Sequence, residues 1–266
     1  MNESQPLTPP VDPEIQEMMA RGVHRGHSKS RRHPAMEPYL WGTRNAIEII
    51  DLVKTREKLT EALEFLKELS ARKGVLLLVG TAPAAKRALL EVAREFSYPV
   101  VTERWIGGTL TNFKVILKRV QRLEELEREQ AAGTLEKYTK KEQVRLGKEL
   151  ERLKKTFNGL RPMKQLPDAL CIVSLAKDGA ALREAKRMGI PVVALADTNT
   201  DPRPVTYPIP ANDDARPAIE YMLGRITVAF REGLARAESL PEAQVSSPPP
   251  QSEGKKAREA ERTAND

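Results

Sequence analysis

Three continuous apolar runs most constrain the fold of this chain. Residues 74–80 read GVLLLVG, residues 167–176 read PDALCIVSLA and residues 189–197 read GIPVVALAD. A strand with one face in water alternates apolar and polar residues, whereas a strand buried on both faces is apolar throughout. Segments with helical spacing separate these runs. The alternation predicts an α/β fold in which helices cover a mainly parallel sheet.

Shorter signals predict the remaining elements of the body. The segment DPEIQEMMARG at 12–22 predicts a short helix, because Asp12 can cap its first turn and Gly22 can end it. The final helix is predicted at 213–236, with Asn212 as its cap. The other predicted elements are a strand at 46–52, a helix at 55–72, a helix capped by Thr81, a short strand at 98–101 and a helix at 179–188. The polar, proline-containing ends, 1–11 and 239–266, predict disorder.

About sixty residues between the third and fourth strands of this series carry no strand signal. Two runs inside this segment have apolar residues three and four positions apart, and Thr139 with Glu142 forms a capping box for the second run. The repeating residues are Phe113, Ile116, Val120, Leu123 and Leu126, then Leu146, Leu150, Leu153 and Phe157. The pattern predicts an antiparallel helical hairpin with a coiled-coil seam at 111–159. It is inserted into an α/β domain made of 12–110 and 160–238.

One segment near the amino end, predicted to be a loop after the first helix, concentrates positive charge. The chain has 44 Lys and Arg against 37 Asp and Glu, and residues 18–34 contain all three histidines and no acid. Such a segment predicts binding to the phosphates of a polyanion, for which the forked donors of arginine are well suited. On the hairpin, mixed charges are equally compatible with a solvated pair of helices. The residues predicted to contact the nucleic acid are Arg21, His24, Arg25, Lys29, Arg31, Arg32, Arg44, Lys114 and Lys118.

The residues alone leave other functions open. Asp197 and Asp214 follow apparent strands, where an open α/β sheet usually binds its ligand, so an enzyme that uses them is one alternative. No complete catalytic constellation accompanies them. His27 with the same two carboxylates is a chemically reasonable zinc site if the basic segment folds over the strand ends. A protein-docking module that acts through the hairpin is a further alternative.

Composition excludes several classes of protein. The single cysteine, Cys171, excludes an intrachain disulfide framework and agrees with a reducing, intracellular compartment. The polar start of the chain is not a signal peptide, and no apolar run approaches the ~20 residues that span a bilayer. Aromatic residues make up only 5% of the chain, which argues against a protein that binds single strands by stacking bases.

Three separated motifs of the chain are distinctive. The first is GVHRGHSKSRRHPAMEPYLWGTRNAIEIIDLVKT at 22–55, and the second is RWIGGTLTNF at 104–113. The third is LPDALCIVSLAKDGAALREAKRMGIPVVALADTNTDPRPVTYPIPANDDA at 166–215. They resemble the motifs of the family of bacterial small-subunit ribosomal protein S2 (S-two), and their order, with the hairpin between the second and third, makes the resemblance specific. It extends from about residue 17 to 236.

The resemblance implies a Rossmann-like, doubly wound sheet with a protruding coiled-coil hairpin and no enzymatic activity. It implies a structural protein of the cytoplasmic small ribosomal subunit that binds ribosomal RNA between head and body. Neighbouring ribosomal proteins would be its partners, including an S-one-like protein (ribosomal protein S1), whereas no membrane contact and no homo-oligomer are expected. No cofactor is required. Zinc near His27, Asp197 and Asp214 is implied by some members of the family.

The match to the motifs is partial. Arg25 stands where the family usually has an aromatic residue, His33 where it has tryptophan, and Ser174 where it commonly has aspartate. In the second motif the family residues are present, and we interpret the segment as a structural joint in which two glycines permit a tight turn and Asn112 caps the next helix. Trp105 is predicted to pack in the core. The matching residues are Arg104, Trp105, Gly107, Gly108, Asn112 and Phe113.

Overall fold

The computed structural model describes residues 12–239, within which a five-stranded sheet forms the centre. Its strands are β4 (Leu76–Val79), β5 (Val100–Val101), β6 (Ala169–Ile172), β7 (Val192–Ala196) and β8 (Tyr207–Pro210). They lie in the order β5–β4–β6–β7–β8, and every neighbouring pair is parallel. The three apolar runs that predicted this sheet are its central strands, β4, β6 and β7.

Helices cover both faces of this sheet, which explains why the central strands are apolar throughout. Along β4, Leu76 and Leu78 belong to one apolar layer, and Leu77 and Val79 belong to the other. The first layer is completed by α2 (Leu52–Ala71), α3 (Pro83–Phe96) and α7 (Arg216–Ser239), and the second by α6 (Leu175–Met188). Each strand residue is therefore buried whichever way it points, as a doubly wound α/β fold requires. The predicted fold class is confirmed.

A second, smaller sheet forms from the segment that was predicted to be a basic loop. After helix α1 (Pro13–Ala20), its three antiparallel strands lie in the order β1–β3–β2. They are β1 (Arg25–Ser28), β2 (Leu40–Arg44) and β3 (Ile47–Ile50). The prediction of a loop was wrong because β1 reads RGHS and carries no apolar alternation. The predicted strand at 46–52 exists as β3, but it pairs only within this second sheet.

Strand β8 was also missed. Its sequence, YPIP, contains two prolines, each of which lacks the N–H that a strand in the middle of a sheet must donate. The strand lies at the edge of the main sheet, where it needs to pair only with β7, and Ala196 lies opposite Pro210. Because an edge strand pairs on one side only, the N–H groups that the two prolines lack need not cost the sheet a hydrogen bond.

Two helices, α4 (Phe113–Ala131) and α5 (Lys140–Phe157), occupy the segment predicted as a hairpin, and together we call them the helical arm. Leu123 and Leu126 of α4 are buried in the same apolar cluster as Leu150 and Leu153 of α5. From Lys140 to Glu149, however, no side chain is buried. A coiled-coil seam along the whole of α5 therefore stays a prediction, although the predicted capping box at Thr139 is present.

Several helix ends differ from prediction. Ala82, not Thr81, occupies the cap position of α3, and Thr81 instead donates from its backbone N–H and its hydroxyl to Asp178 on α6. Asn112 is at the cap position of α4, but its side chain makes no capping hydrogen bond. The predicted cap Asn212 does act, since its Oδ1 accepts from the backbone N–H groups of Asp214 and Ala215 ahead of α7.

The ends of the chain were predicted to be disordered, and residues 1–11 and 240–266 lie outside the described residues, while α7 continues through Ser239. Among the helices described, none is long and apolar enough to cross a membrane.

Candidate nucleic-acid interface

The small sheet presents cations and apolar side chains on the same face. Arg25 of β1 lies opposite Ile49 of β3, and Arg44 of β2 lies opposite Ile47. Residues two apart in a strand point the same way, so both arginines flank one isoleucine-bearing face. On the other face, Glu48 is 1% exposed and its carboxylate accepts a hydrogen bond from the Thr43 hydroxyl. This face is turned toward the body, and the cationic face is turned outward.

Most of the predicted RNA-contacting cations are free to bind a phosphate. Arg25, Lys29, Arg31 and Arg44 are exposed, and within residues 12–239 none of them has an acidic partner. Arg21 is also exposed, with Glu17 only at the limit of an ion pair, 4.0 Å away. Because these cations have no internal counter-charge, they can exchange bound counterions for RNA phosphates.

Two residues of the predicted set have other surroundings. The guanidinium of Arg32 is only partly exposed and lies 3.9 Å from the buried carboxylate of Glu48. It therefore partly balances the charge of Glu48 and is less available to a phosphate. His24 is half-buried, and burial, with the nearby Arg25, lowers its pKa. A neutral imidazole adds no positive charge, so we expect His24 to contribute shape or hydrogen bonding.

The small sheet is fixed to the body at one threonine. The His27 backbone N–H donates to Thr198 Oγ1 at 2.9 Å, and the His33 backbone N–H donates to the Thr198 carbonyl at 2.8 Å. Gly26 packs so closely that a Cβ added there would lie 2.3 Å from Thr198 Cγ2. Further along, the Asn212 backbone N–H donates to the Val23 carbonyl at 3.0 Å. These contacts, which we call the Gly26–Thr198 junction, hold the small sheet and its exposed cations rigidly against the body.

His27 lies between two carboxylates at this junction. Its Nδ1 is 3.2 Å from Asp197 Oδ1 and its Nε2 is 3.2 Å from Asp214 Oδ2. The contact with Asp197 raises the pKa of His27 against the opposing effect of burial. Asp213 beside them is 2% exposed, with one carboxylate oxygen unpartnered, and burial together with the Asp197 charge raises its pKa to about 7.

The same geometry tests the zinc hypothesis. A zinc ion binds one histidine nitrogen at ~2.0–2.1 Å and needs its other ligands to converge on that point. Here the two carboxylates face different nitrogens of His27, and across residues 12–239 no three His, Cys, Asp or Glu side chains are arranged to hold a metal ion. The donor types suit zinc, and the unpartnered oxygen of Asp213 adds a further donor. Zinc binding therefore stays a prediction that requires at least one carboxylate to turn.

The second motif, 104–113, wraps around a single carboxylate. Glu184 of α6 accepts hydrogen bonds from the Trp105 indole N–H and from the backbone N–H groups of Gly108, Leu110 and Thr111. Gly108 has φ +90°, which only glycine adopts without strain, so the predicted tight turn is present there. Trp105 is 8% exposed and packs in the core as predicted. Arg104 remains exposed beside this loop, and Phe113 begins α4.

Lys114 and Lys118 lie one turn apart on α4 and are exposed. Neither has an acidic partner among residues 12–239. They can therefore form a second group of phosphate contacts, separate from the small sheet. The two groups of cations lie on different elements. The first belongs to β1, β2 and their turns, and the second lies at the start of α4 in the helical arm.

An apolar groove of about 580 Å³ lies beside the cationic face. Trp41 is 75% exposed and lines it together with Met19, Ile47 and Val53, which are also exposed large apolar residues. Arg25 and Arg44 line the same groove. The sequence contained these side chains, but their assembly into one surface depends on the unpredicted small sheet.

Comparison with known proteins decides the family. The family model for ribosomal protein S2 matches residues 18–233. The chain belongs to this family. It is 47% identical over 216 residues to the small ribosomal subunit protein uS2 of two strains of Thermus thermophilus, which covers 81% of this chain and 84% of each relative. The recognition from motifs is confirmed, and membership identifies a structural ribosomal protein, so the enzyme alternative at Asp197 and Asp214 was wrong.

Three residues important to this surface escaped the sequence reasoning. They are Glu184, Thr198 and Glu48. The first two act through contacts far along the chain: Glu184 lies 79 residues from Trp105, and Thr198 lies 171 residues from His27. A single glutamate on an amphipathic helix carries no signal of such a role. Glu48 was detectable in principle, because an acid in the middle of IEII is unusual in a strand and indicates a buried partner.

Proposed function

We propose that this chain is a structural component of the small ribosomal subunit in the cytoplasm, where it binds ribosomal RNA and contacts neighbouring ribosomal proteins. The observation that carries the RNA-binding role is the set of unpartnered, exposed cations mounted on a sheet that the body holds rigidly. Phosphate contacts of this kind position a protein and do not read sequence. The RNA would be recognised mainly by its folded shape, between head and body.

The neighbouring residues Arg31 and Arg32 provide a matched test of this interface. Binding of the purified protein to small-subunit ribosomal RNA should weaken as salt rises, with a slope of about 0.7–0.9 per phosphate contact on logarithmic axes. We expect Arg31→Ala to reduce this slope by about one such unit. Arg32→Ala should instead lower folding stability, because it removes the cation nearest the buried carboxylate of Glu48.

The control for this test is Arg87→Ala. Arg87 is exposed like Arg31, but it pairs with Glu91 on α3, so its loss should leave the salt slope unchanged. If Arg31→Ala and Arg87→Ala gave the same slope as the unaltered chain, the cationic face would not contact the RNA. Co-sedimentation with small subunits from a cell lysate gives an independent check of the assembly role.

We also propose that the groove at Trp41 docks an S-one-like protein. The exposed apolar side chains favour a protein segment over RNA at this point, and the arginines at its edge favour an acidic one. Binding of purified S-one-like protein, measured by calorimetry, should weaken more than tenfold for Trp41→Ala. Val144→Ala, at an exposed valine of α5, tests the alternative that the helical arm is the docking surface. If only Val144→Ala weakened the binding of the S-one-like protein, the docking surface would lie on the helical arm and not at the groove.

A further inference from the structure

The helical arm leaves the body through a loop that one carboxylate organises. Both oxygens of Glu184 are used: Oε1 accepts from the Trp105 indole at 3.0 Å and from the Gly108 N–H at 2.8 Å. Oε2 accepts from the Leu110 N–H at 3.0 Å and, at 3.3 Å, from the backbone N–H and the hydroxyl of Thr111. Five donors from one loop thus converge on one side chain of α6, and α4 begins two residues after the last of them.

The other end of the arm is held in a different way. After α5 the chain turns at Gly159, where an added Cβ would lie 2.1 Å from the Val100 carbonyl oxygen, so this end is fixed by close packing against β5. Glu127 of α4 pairs with Lys154 of α5 at 3.3 Å and with Arg161, just beyond the arm, at 2.7 Å. The first pair ties the two helices to each other, and Glu184 anchors the loop that leads from the body into α4.

We infer that Glu184 is a positioning residue that sets the direction in which the helical arm leaves the body. The inference rests on the proposed function in one respect, because a fixed direction also fixes the spacing between the cations of the small sheet and Lys114 and Lys118 on α4. An RNA that touches both groups binds more tightly when their spacing is fixed in advance, since the second contact then forms at high effective concentration.

This role uses both carboxylate oxygens as acceptors, so glutamine is the informative replacement. Burial alone would raise the pKa of Glu184, but the hydrogen bonds from the Trp105 indole and the loop amides outweigh it, and the pKa is lowered overall. Glu184→Gln keeps the size of the side chain and one acceptor oxygen, but it turns an NH₂ group toward backbone donors. Trp105→Phe is a milder variant, because it removes one donor and retains an aromatic ring in the core.

The first measurement is a distance between arm and body in the free protein. Spin labels at Val144→Cys on α5 and Val228→Cys on α7 use two exposed positions. The native Cys171 does not compete, since it is buried and its pKa is raised to about 12. We expect a single narrow distance distribution in the otherwise unaltered chain, a broad one in Glu184→Gln and an intermediate one in Trp105→Phe. Unchanged distributions in both variants would overturn the inference, whatever the RNA does.

The second measurement is affinity for small-subunit ribosomal RNA. Glu184→Gln should bind about tenfold or more weakly with the same salt slope, because no RNA-facing cation is lost. Glu220→Gln is the control, since that glutamate pairs with Arg216 on the surface of α7. Cooperative melting of each variant shows that it is folded. A broadened distance with unchanged affinity would overturn the link to RNA, whereas absence of RNA binding by the unaltered chain would count against the proposed function and leave the distance result to decide the role of Glu184.

Discussion

Gly26 offers the most direct test of the junction that holds the cationic sheet. In Gly26→Ala the new Cβ would lie 2.3 Å from Thr198 Cγ2, 2.8 Å from Thr198 Oγ1 and 3.1 Å from the Glu48 carbonyl oxygen. Thr198 cannot rotate away easily. It is completely buried, its hydroxyl accepts from the His27 N–H and its carbonyl accepts from the His33 N–H. The strand must therefore move away from the body.

The expected loss in the free energy of unfolding has two contributions. Overpacking of a tight contact costs about 1–3 kcal/mol. Moving β1 also lengthens or breaks the hydrogen bond from the His27 N–H to Thr198, which adds about 1 kcal/mol. We therefore expect Gly26→Ala to lower the free energy of unfolding by about 2–4 kcal/mol. A domain with about 5–15 kcal/mol of stability remains folded after such a loss.

Urea denaturation of the free protein measures this change, and two glycines of the chain serve as controls. A Cβ added to Gly42 or to Gly147 meets nothing within 4 Å. Gly42→Ala should be nearly neutral, and Gly147→Ala, inside α5, should stabilise its helix by up to about 1 kcal/mol. RNA affinity of Gly26→Ala should fall with an unchanged salt slope, because no cation is removed. If Gly26→Ala were as stable as Gly42→Ala, the junction would not be rigid and the reasoning would fail.

Three further changes test other parts of the structure. Asp213 has a pKa raised to about 7, so the folded chain keeps a proton that an unfolded aspartate releases near 3.8, and stability falls as pH rises between these values. In EDTA, Asp213→Asn should raise the melting temperature more at pH 8 than at pH 5. Asp178→Ala leaves the Thr81 N–H and hydroxyl without their acceptor and should cost about 2–4 kcal/mol in urea denaturation. Thr139→Ala removes the capping box of α5 and costs about 1 kcal/mol locally, seen as faster hydrogen exchange at 140–149 with little change in global melting.

The sequence predicted those parts of the fold whose burial leaves a periodic pattern. Strands β4, β6 and β7 are buried on both faces, and this requirement alone makes them apolar without interruption. The small sheet has no such requirement on its outer face. Its strand β1 reads RGHS, so none of its side chains is apolar, and the hydrogen bond that fixes it to Thr198 comes from the backbone N–H of His27. The small sheet depends on the pairing of β1 with β3, whose partner residues lie about twenty positions further along the chain, and no local sequence pattern indicates that pairing.

The site residues also differ in whether the sequence could predict them. The exposed cations were predictable because clustered charge is visible in the sequence, and His27 with Asp197 and Asp214 was proposed as a zinc site from the types of donor, with the family resemblance as added support. The structure does bring them together, with His27 3.2 Å from each of the two carboxylates. Glu184 was not predictable, because it is one of 37 acids and only its five convergent donors distinguish it. Side chains that hold a backbone loop are identified by geometry and not by type.

The strand ends also explain why an α/β sheet of this kind serves as a scaffold. Open α/β sheets usually bind ligands beyond the carboxyl ends of their strands, near the point where the strand order reverses. Here Thr81, just beyond β4, and Asp178, on the helix that follows β6, are bonded to each other across that point. Beyond β7, Thr198 is covered by Gly26 and His27 of the small sheet. Beyond β7, a position that would hold a substrate in an enzyme instead attaches the cationic sheet, so this edge of the fold sets the direction of the proposed phosphate contacts.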